Sequence, residues 1–141
     1  MVSIVPSYDD LKKEFRTVFW GFQEGRSSDW QLHDSCKDVA PADPDSCDII
    51  SFDEHLSTEE VMCRILSRGF RLPTLHEFFA WAQKSPSGRL GDAVACLGVS
   101  CIYEGLHRVP GFYWEVNGRH LQLPWTKDGW SAGRQFLVVR V

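Results

Sequence analysis

Two stretches near the middle of the chain repeat apolar side chains at helical spacing, and each follows a clear start signal. Ser57 lies three residues before Glu60, the spacing of a capping box, and the helix behind it is expected to end near Gly69. Thr74 and Glu77 repeat that spacing for a second helix. The buried faces of the two helices are expected to consist of Val61, Met62, Ile65 and Leu66, and of Leu75, Phe78, Phe79 and Ala82.

Other segments show weaker patterns. Apolar side chains at helical spacing predict an N-terminal amphipathic helix whose stripe is Leu11, Phe15, Val18 and Phe22. Residues 26–48 are polar and predict a long irregular acidic loop. Short apolar runs predict strands over residues 49–52, 94–102 and 135–141, and Gly98 indicates a bulge or a close backbone approach.

The clearest local pattern is a β-hairpin centred on Asn117 and Gly118. These two residues separate runs of alternating apolar and polar side chains, which is typical of a two-residue type I′ turn. The register then pairs Trp114 with Leu121 on an inward face, and Glu115 with His120 on the outward face. We expect a core that includes Trp114, Leu121, Trp130 and Phe136.

The hairpin leads into a turn-rich segment with two tryptophans, residues 124–133. Trp125 could be either core or surface, since large aromatic side chains often remain partly exposed. Outward strand positions and the loop after them would together form a binding surface on a rigid sheet. Its predicted residues are Tyr113, Glu115, His120, Gln122, Trp125, Lys127, Asp128 and Ser131.

Composition narrows the class of protein. The chain has 141 residues, with 43% hydrophobic and 24% charged side chains, which predicts one globular domain over residues 1–141. Within it we expect a helix and acidic loop over 1–48 and a core over 49–141. The net charge of −4 argues against a general nucleic-acid binder, and the longest apolar run is too short for membrane insertion.

Five cysteines and no signal-peptide pattern favour a cytoplasmic protein with reduced thiols. His33, Cys36, Cys47 and His55 could in principle hold zinc, but their spacing matches no common zinc motif. The nearby Asp43, Asp45 and Asp48 lack the glycine and closing glutamate of a calcium-binding EF-hand loop. We therefore expect no metal and no other cofactor.

An enzyme is an alternative to a binding protein. Glu115 opposite His120 could form an acid–base couple, joined by Glu77, His76 or His107. A cross-strand pair of this kind is more often a surface interaction worth under about 1 kcal/mol. Cys96 and Cys101 lie in an apolar run, where a thiol would stay protonated. We therefore assign no catalytic residue.

Residues 68–82, Arg-Gly-Phe-Arg-Leu-Pro-Thr-Leu-His-Glu-Phe-Phe-Ala-Trp-Ala, resemble the R-L-P-T-x-x-E-W-x-x-A signature of formylglycine-generating-enzyme-type domains. Residues 130–140, Trp-Ser-Ala-Gly-Arg-Gln-Phe-Leu-Val-Val-Arg, resemble the G-F-R-x-x-R closing strand of the same fold. The resemblance covers residues 56–141 and implies an α+β, C-type-lectin-like domain with the N-terminal amphipathic helix added to it. The enzyme branch has catalytic cysteines near its closing strand, and residues 130–141 contain none.

Within that fold the chain is most similar to the small variable proteins of diversity-generating retroelements. The resemblance implies a fixed framework that displays variable side chains to a protein or other macromolecular ligand. The framework positions would be Trp114, Leu121, Leu123, Trp130, Arg134 and Phe136. Two alternatives stay open: a small enzyme or degenerate relative of formylglycine-generating enzymes, and an assembly protein that docks through its N-terminal helix. The oligomeric state is left open.

Overall fold

The described residues combine two α-helices with ten short strands, six of which follow one another after the second helix, and this content makes the fold mixed α+β. The computed structural model describes residues 15, 17–18, 30–37, 39–84, 93–103, 105–115 and 118–141. Within these residues two α-helices are present, α1 (Thr58–Ser67) and α2 (Leu75–Lys84). The strands of the described residues are β1 (Thr17–Val18), β2 (Gln31–Leu32), β3 (Cys47–Ser51), β4 (Phe70–Arg71), β5 (Ala93–Ala95), β6 (Val99–Tyr103), β7 (Leu106–Arg108), β8 (Gly111–Glu115), β9 (Gly118–Gln122) and β10 (Gln135–Arg140).

The described strands form two sheets. The larger has seven strands in the order β1-β9-β8-β5-β10-β3, with β4 also paired to β10. β10 is antiparallel to β3 and β4 and parallel to β5, so it joins segments from distant parts of the sequence. The smaller sheet has the order β2-β6-β7.

Both predicted helix starts are confirmed. The Ser57 hydroxyl accepts from the Glu60 backbone N–H at 3.1 Å, and the Glu60 carboxylate accepts from the Ser57 N–H at 3.0 Å. At α2, the Thr74 hydroxyl accepts from the Glu77 N–H at 3.2 Å, and the Glu77 carboxylate accepts from the Thr74 N–H at 2.8 Å. Gly69 has a φ of 88°, which suits the residue just past the end of α1.

The core forms two clusters. One packs Phe78 and Phe79 of α2 against Phe112 and Leu121 of the hairpin strands. The other packs α1 against Trp130, Phe136 and their neighbours. Leu121, Trp130 and Phe136 are buried, which confirms three of the four expected core residues. The side chain of Trp114 lies outside the described residues.

The strand predicted over residues 94–102 is two strands in different sheets, β5 and β6. Gly98 lies between them, where an added Cβ would be 1.8 Å from the Pro73 carbonyl oxygen. The close-approach interpretation of this glycine is therefore confirmed. The prediction of one continuous strand is wrong, because the backbone turns past Pro73 from one sheet to the other.

Part of the N-terminal helix prediction is also wrong. Thr17 and Val18 form β1, which runs parallel to β9 with Thr17 opposite His120. Pairing with a neighbouring strand outweighs the local helical pattern at these two residues. Phe15 is buried with its ring edge-on to Phe112, at 5.9 Å between centroids. Leu11, Phe22 and the remainder of the predicted helix lie outside the described residues.

The predicted hairpin register is wrong by two residues. Phe112 lies opposite Leu121, Tyr113 opposite His120, and Glu115 opposite Gly118. Because side chains alternate with a period of two, a shift of two residues keeps the described residues of the hairpin on their predicted faces. The observed register places Phe112 and Leu121, both fully buried, directly opposite each other in the core.

The acidic stretch is more ordered than predicted. Its described part contains β2, two 3-10 turns (Asp34–Cys36 and Pro44–Ser46) and the start of β3. The buried Glu77 carboxylate fastens this segment to α2 by accepting from the Ala42 N–H at 2.6 Å. Arg71 donates two hydrogen bonds to the same carboxylate, at 2.9 and 2.7 Å.

Candidate ligand-binding cleft

A cleft of about 400 Å³ lies where β9 ends and the segment before β10 folds back over it. Its walls come from β7, from the end of β9 with the residues that follow, and from the approach to β10. The lining residues are Arg108, Gln122, Leu123, Pro124, Trp125, Gly129, Trp130, Ser131 and Arg134. Volumes of this size are typical of small-ligand sites.

The structure brings only part of the predicted binding surface to this cleft. Gln122, Trp125 and Ser131 line it. Lys127 and Asp128 are exposed on the loop between Trp125 and Ser131 and do not line the cleft, although Asp128 accepts from the indole N–H of Trp125. The other three predicted residues, Tyr113, Glu115 and His120, lie further along the hairpin and do not line it.

Trp125 is the exposed aromatic wall of the cleft. Its side chain is 49% exposed, which decides between the two alternatives left by the sequence. The Arg108 guanidinium lies over the indole at 5.6 Å from the ring centroid, and the indole N–H donates to the Asp128 carboxylate at 3.3 Å. Arg108 is only 8% exposed and donates to the Leu123 carbonyl at 3.0 Å. The exposed indole is therefore held on two sides.

Trp130 forms the buried base of the cleft. It is 4% exposed, and its indole N–H donates to the Thr58 hydroxyl at 2.9 Å. Its backbone exchanges two hydrogen bonds with Leu56, at 3.0 and 2.8 Å. Gly129 precedes it with a φ of 71°, and a Cβ there would lie 2.6 Å from the Leu56 carbonyl oxygen. These contacts fasten the loop to the segment that leads into α1.

Arg134 forms the part of the cleft wall next to Trp130. Its guanidinium carbon lies 5.4 Å from the centroid of the Trp130 ring, in cation–π geometry. Its Nε is buried and has no hydrogen-bond partner among the residues that the structure describes. Burial lowers the pKa of the Arg134 guanidinium. A positive charge thus lies partly desolvated at the cleft wall.

The predicted outward face of the hairpin is only partly exposed. His120 is 4% exposed, which corrects the expectation that it faces solvent, because β9 is an interior strand here and Thr17 of β1 and Tyr113 of β8 flank His120 on its two sides. Tyr113 stacks on its ring at 4.6 Å, with 12° between the planes. Burial, followed by the charge of Glu115, raises the pKa of the Tyr113 hydroxyl. Glu115 itself is exposed as expected, and Tyr113 and Gln122 are half-buried.

The positions of Glu115 and Glu77, two of the other candidate catalytic residues, favour a structural role. Glu115 lies opposite Gly118, so the directly opposed Glu115–His120 couple is wrong. Burial alone would raise the pKa of Glu77, but hydrogen bonds from Arg71, Thr74 and Ala42 outweigh it and hold that pKa below its usual value. Glu77 is therefore an anionic structural anchor.

Three of the thiols have raised pKa values, and two of the candidate metal ligands form structural contacts. Burial raises the pKa of the Cys96 and Cys36 thiols, and it raises that of Cys47 to about 11. Within the described part of the chain, no three His, Cys, Asp or Glu side chains gather as a metal site. His33 instead caps a 3-10 turn through Nδ1, which accepts from the Ser35 N–H at 3.1 Å. Asp48 forms an ion pair with Arg140 at 2.6 Å.

Sequence reasoning missed Arg108 and Arg134 as cleft residues. Arg134 was assigned to the framework by resemblance alone, and Arg108 lies on a strand that the sequence did not predict. The sequence did contain one sign of this role, because Arg134 lies between Trp130, an expected core residue, and the apolar strand predicted over residues 135–141. Such a cation needs either a carboxylate partner or a ligand.

No helix among the described residues is long and apolar enough to cross a bilayer. Comparison of the chain with protein-family models, with curated proteins and with solved structures gave no match.

Proposed function

We propose that this chain is a non-enzymatic binding protein whose ligand, a protein or another macromolecule, inserts a group into the cleft beside Trp125. The observation that carries the proposal is the position of Trp125, which is half exposed yet held by Arg108 on one side and Asp128 on the other. A fixed, exposed indole offers a large contact area at low entropic cost. Gln122 and Ser131 add an amide and a hydroxyl to the same cleft.

The cleft rests on a rigid support, which favours binding. The Trp130 backbone is bonded to Leu56, and the Thr126 N–H and Val109 N–H donate to the His107 and Pro124 carbonyls, each at 3.0 Å. A loop held at several points loses little conformational entropy when a ligand binds. The cleft is therefore suited to recognition without a large rearrangement.

A C-type-lectin-like fold is part of this proposal, and two features support it. Residues 68–82, which resemble the family signature, stabilise the fold, because the ion pair of Arg71 and Glu77 joins β4 to α2 and Glu77 also binds the acidic segment. The segment that resembles the closing strand is β10, which lies between β5 and β3 in the larger sheet.

We also propose that the binding surface is diversified by a retroelement and that the protein is cytoplasmic, where its thiols would stay reduced. A reverse-transcriptase gene beside this one, with a near-identical template repeat of the last coding segment, would support diversification. Sequencing of the locus in related isolates tests this directly. Substitutions confined to cleft and outward hairpin positions are expected, and substitutions spread evenly over the coding sequence would contradict the idea.

The binding proposal is tested by fragment screening with a local readout. The chain has six tryptophans, and ¹H–¹⁵N spectra give each indole N–H its own resonance, which Trp125→Phe assigns for residue 125. A library of small aromatic, amide and charged fragments is then added to the ¹⁵N-labelled protein. We expect some fragments to shift the Trp125 resonance and to leave that of Trp81, in the other core cluster, unchanged.

Two variants complete this test. Trp125→Ala should abolish fragment binding, while the melting temperature stays within about 4 °C because exposed substitutions cost little. Ile102→Ala, which truncates a 55% exposed apolar side chain on β6, is the matched control and should bind as wild type does. The binding site would lie elsewhere if fragments bound Trp125→Ala as tightly as they bind the wild-type protein. The same conclusion would follow if no fragment in the library shifted the Trp125 resonance.

A further inference from the structure

We propose that the group this cleft takes is an oxyanion, a carboxylate or a phosphate, held by the guanidinium of Arg134. The inference rests on the proposed binding function and adds the chemistry of the ligand. It also changes the role of Arg134 from a framework residue to the residue that determines specificity.

The charged groups that line the cleft are all cationic. Two guanidinium groups, of Arg108 and Arg134, line it. None of the described residues that line the cleft is an aspartate or a glutamate. A cleft whose charged groups are all positive and whose walls have a low dielectric constant concentrates the electric field and attracts anions. This composition stands out in a chain whose net charge is −4.

The guanidinium of Arg134 is fixed in position but only partly supplied with hydrogen-bond acceptors. Its ring contact with Trp130 fixes the guanidinium plane beside the cleft. The buried Nε has no acceptor among the described residues, and a buried donor without an acceptor costs free energy. Burial is the cause of the lowered pKa of this group, and a bound anion would oppose that effect. An oxyanion in the cleft would compensate the charge through guanidinium hydrogen bonds.

An exposed aromatic ring and two neutral polar groups line the cleft together with the two cations. The exposed face of Trp125 can pack against an apolar or aromatic part of the ligand, while the Gln122 amide and the Ser131 hydroxyl lie on the same cleft. Arg108 is anchored by its bond to the Leu123 carbonyl, so its charge stays at the wall. The predicted ligand group is thus an oxyanion carried on a flat apolar body.

Three probes of similar shape separate the possibilities: benzoate, phenyl phosphate and the neutral benzyl alcohol. Each is titrated at constant ionic strength into the ¹⁵N-labelled protein, and the shift of the Trp125 indole resonance gives its affinity. We expect at least one anion to bind about tenfold or more tightly than benzyl alcohol, the contribution of one hydrogen bond to a charged group. The anion that binds more tightly shows whether the natural group is a carboxylate or a phosphate.

Arg134→Gln removes the charge and should abolish the preference for the anion. The matched control is Arg64→Gln, which removes an arginine paired with Glu54 on the surface, away from the cleft, and should keep the preference. Because the probe comparison is made on the wild-type protein, the inference stays falsifiable even where Arg134→Gln fails to fold. Equal binding of all three probes would overturn the oxyanion and leave the cleft as a binding site. No shift of the Trp125 resonance with any probe would overturn both.

Discussion

Replacement of Glu77 by glutamine tests the most concentrated set of polar contacts in the described structure. The carboxylate is 1% exposed and accepts four hydrogen bonds, two from Arg71 and one each from the Thr74 and Ala42 N–H groups. Glutamine keeps the volume but replaces one acceptor oxygen by an NH₂ group, which faces two donors. The substitution leaves the half-buried Arg71 guanidinium without its counter-charge and removes charged hydrogen bonds, so we expect the free energy of unfolding to fall by about 3–5 kcal/mol.

The assay is urea unfolding at pH 7, extrapolated to water. Glu59→Gln is the control, because Glu59 is exposed in the first turn of α1 and should cost less than about 1 kcal/mol. A cost of several kcal/mol is a large share of the stability of a typical domain. A Glu77→Gln protein no less stable than Glu59→Gln would refute the reasoning that this carboxylate anchors α2, β4 and the acidic segment.

The pH dependence provides a second check on Glu77. Its pKa in the folded protein lies below its ordinary value, so the stabilisation is complete above the unfolded pKa of about 4.3. It is lost as the pH falls through the folded value. The difference in unfolding free energy between wild type and Glu77→Gln should therefore be constant from neutral pH down to about pH 5 and shrink in more acid solution. A difference that grows on acidification would contradict the assignment.

Three further predictions concern packing and thiol reactivity. Phe112→Ala should cost about 3–5 kcal/mol in urea unfolding because the ring is fully buried, and a cost below about 1 kcal/mol would contradict the core assignment. Gly98→Ala should lose about 3 kcal/mol or more, since its Cβ would meet the Pro73 carbonyl, and a wild-type melting temperature would refute that close approach. In native protein a thiol reagent should label Cys63 rapidly and the buried thiols slowly, and Cys63→Ser should remove the fast phase; an unchanged fast phase would show another thiol reacting.

Features that depend on near neighbours in sequence were predictable. The two capping boxes involve residues three apart, and both form as expected. The alternation of the hairpin strands correctly predicted that Phe112 and Leu121 are buried and that Glu115 is exposed, but not that His120 is buried. The register itself was wrong, because the Asn-Gly turn preference is local, whereas the pairing of Phe112 with Leu121 is decided by core packing.

Features that depend on distant segments were not predictable. His120 was expected at the surface, and its burial requires β1, which comes from about a hundred residues earlier in the chain. The cleft combines a strand end at Arg108 with a loop near Arg134, so its cationic character appears only after folding. Of the eight predicted site residues, Gln122, Trp125 and Ser131 line the cleft, because the loop that carries the last two follows directly from the hairpin strand that ends at Gln122.

The central position of β10 has a consequence for synthesis on the ribosome. Arg140 and its partner Asp48 are 92 residues apart, and β10 lies between β5 and β3. A nascent chain therefore holds β3 and β5 with unpaired edges until β10 emerges and inserts between them. Such edges are templates for pairing with other chains, and non-local pairing slows folding. Crowded polysomes, or a stall just before β10, should expose this protein to aggregation and to chaperone capture more than its finished fold suggests.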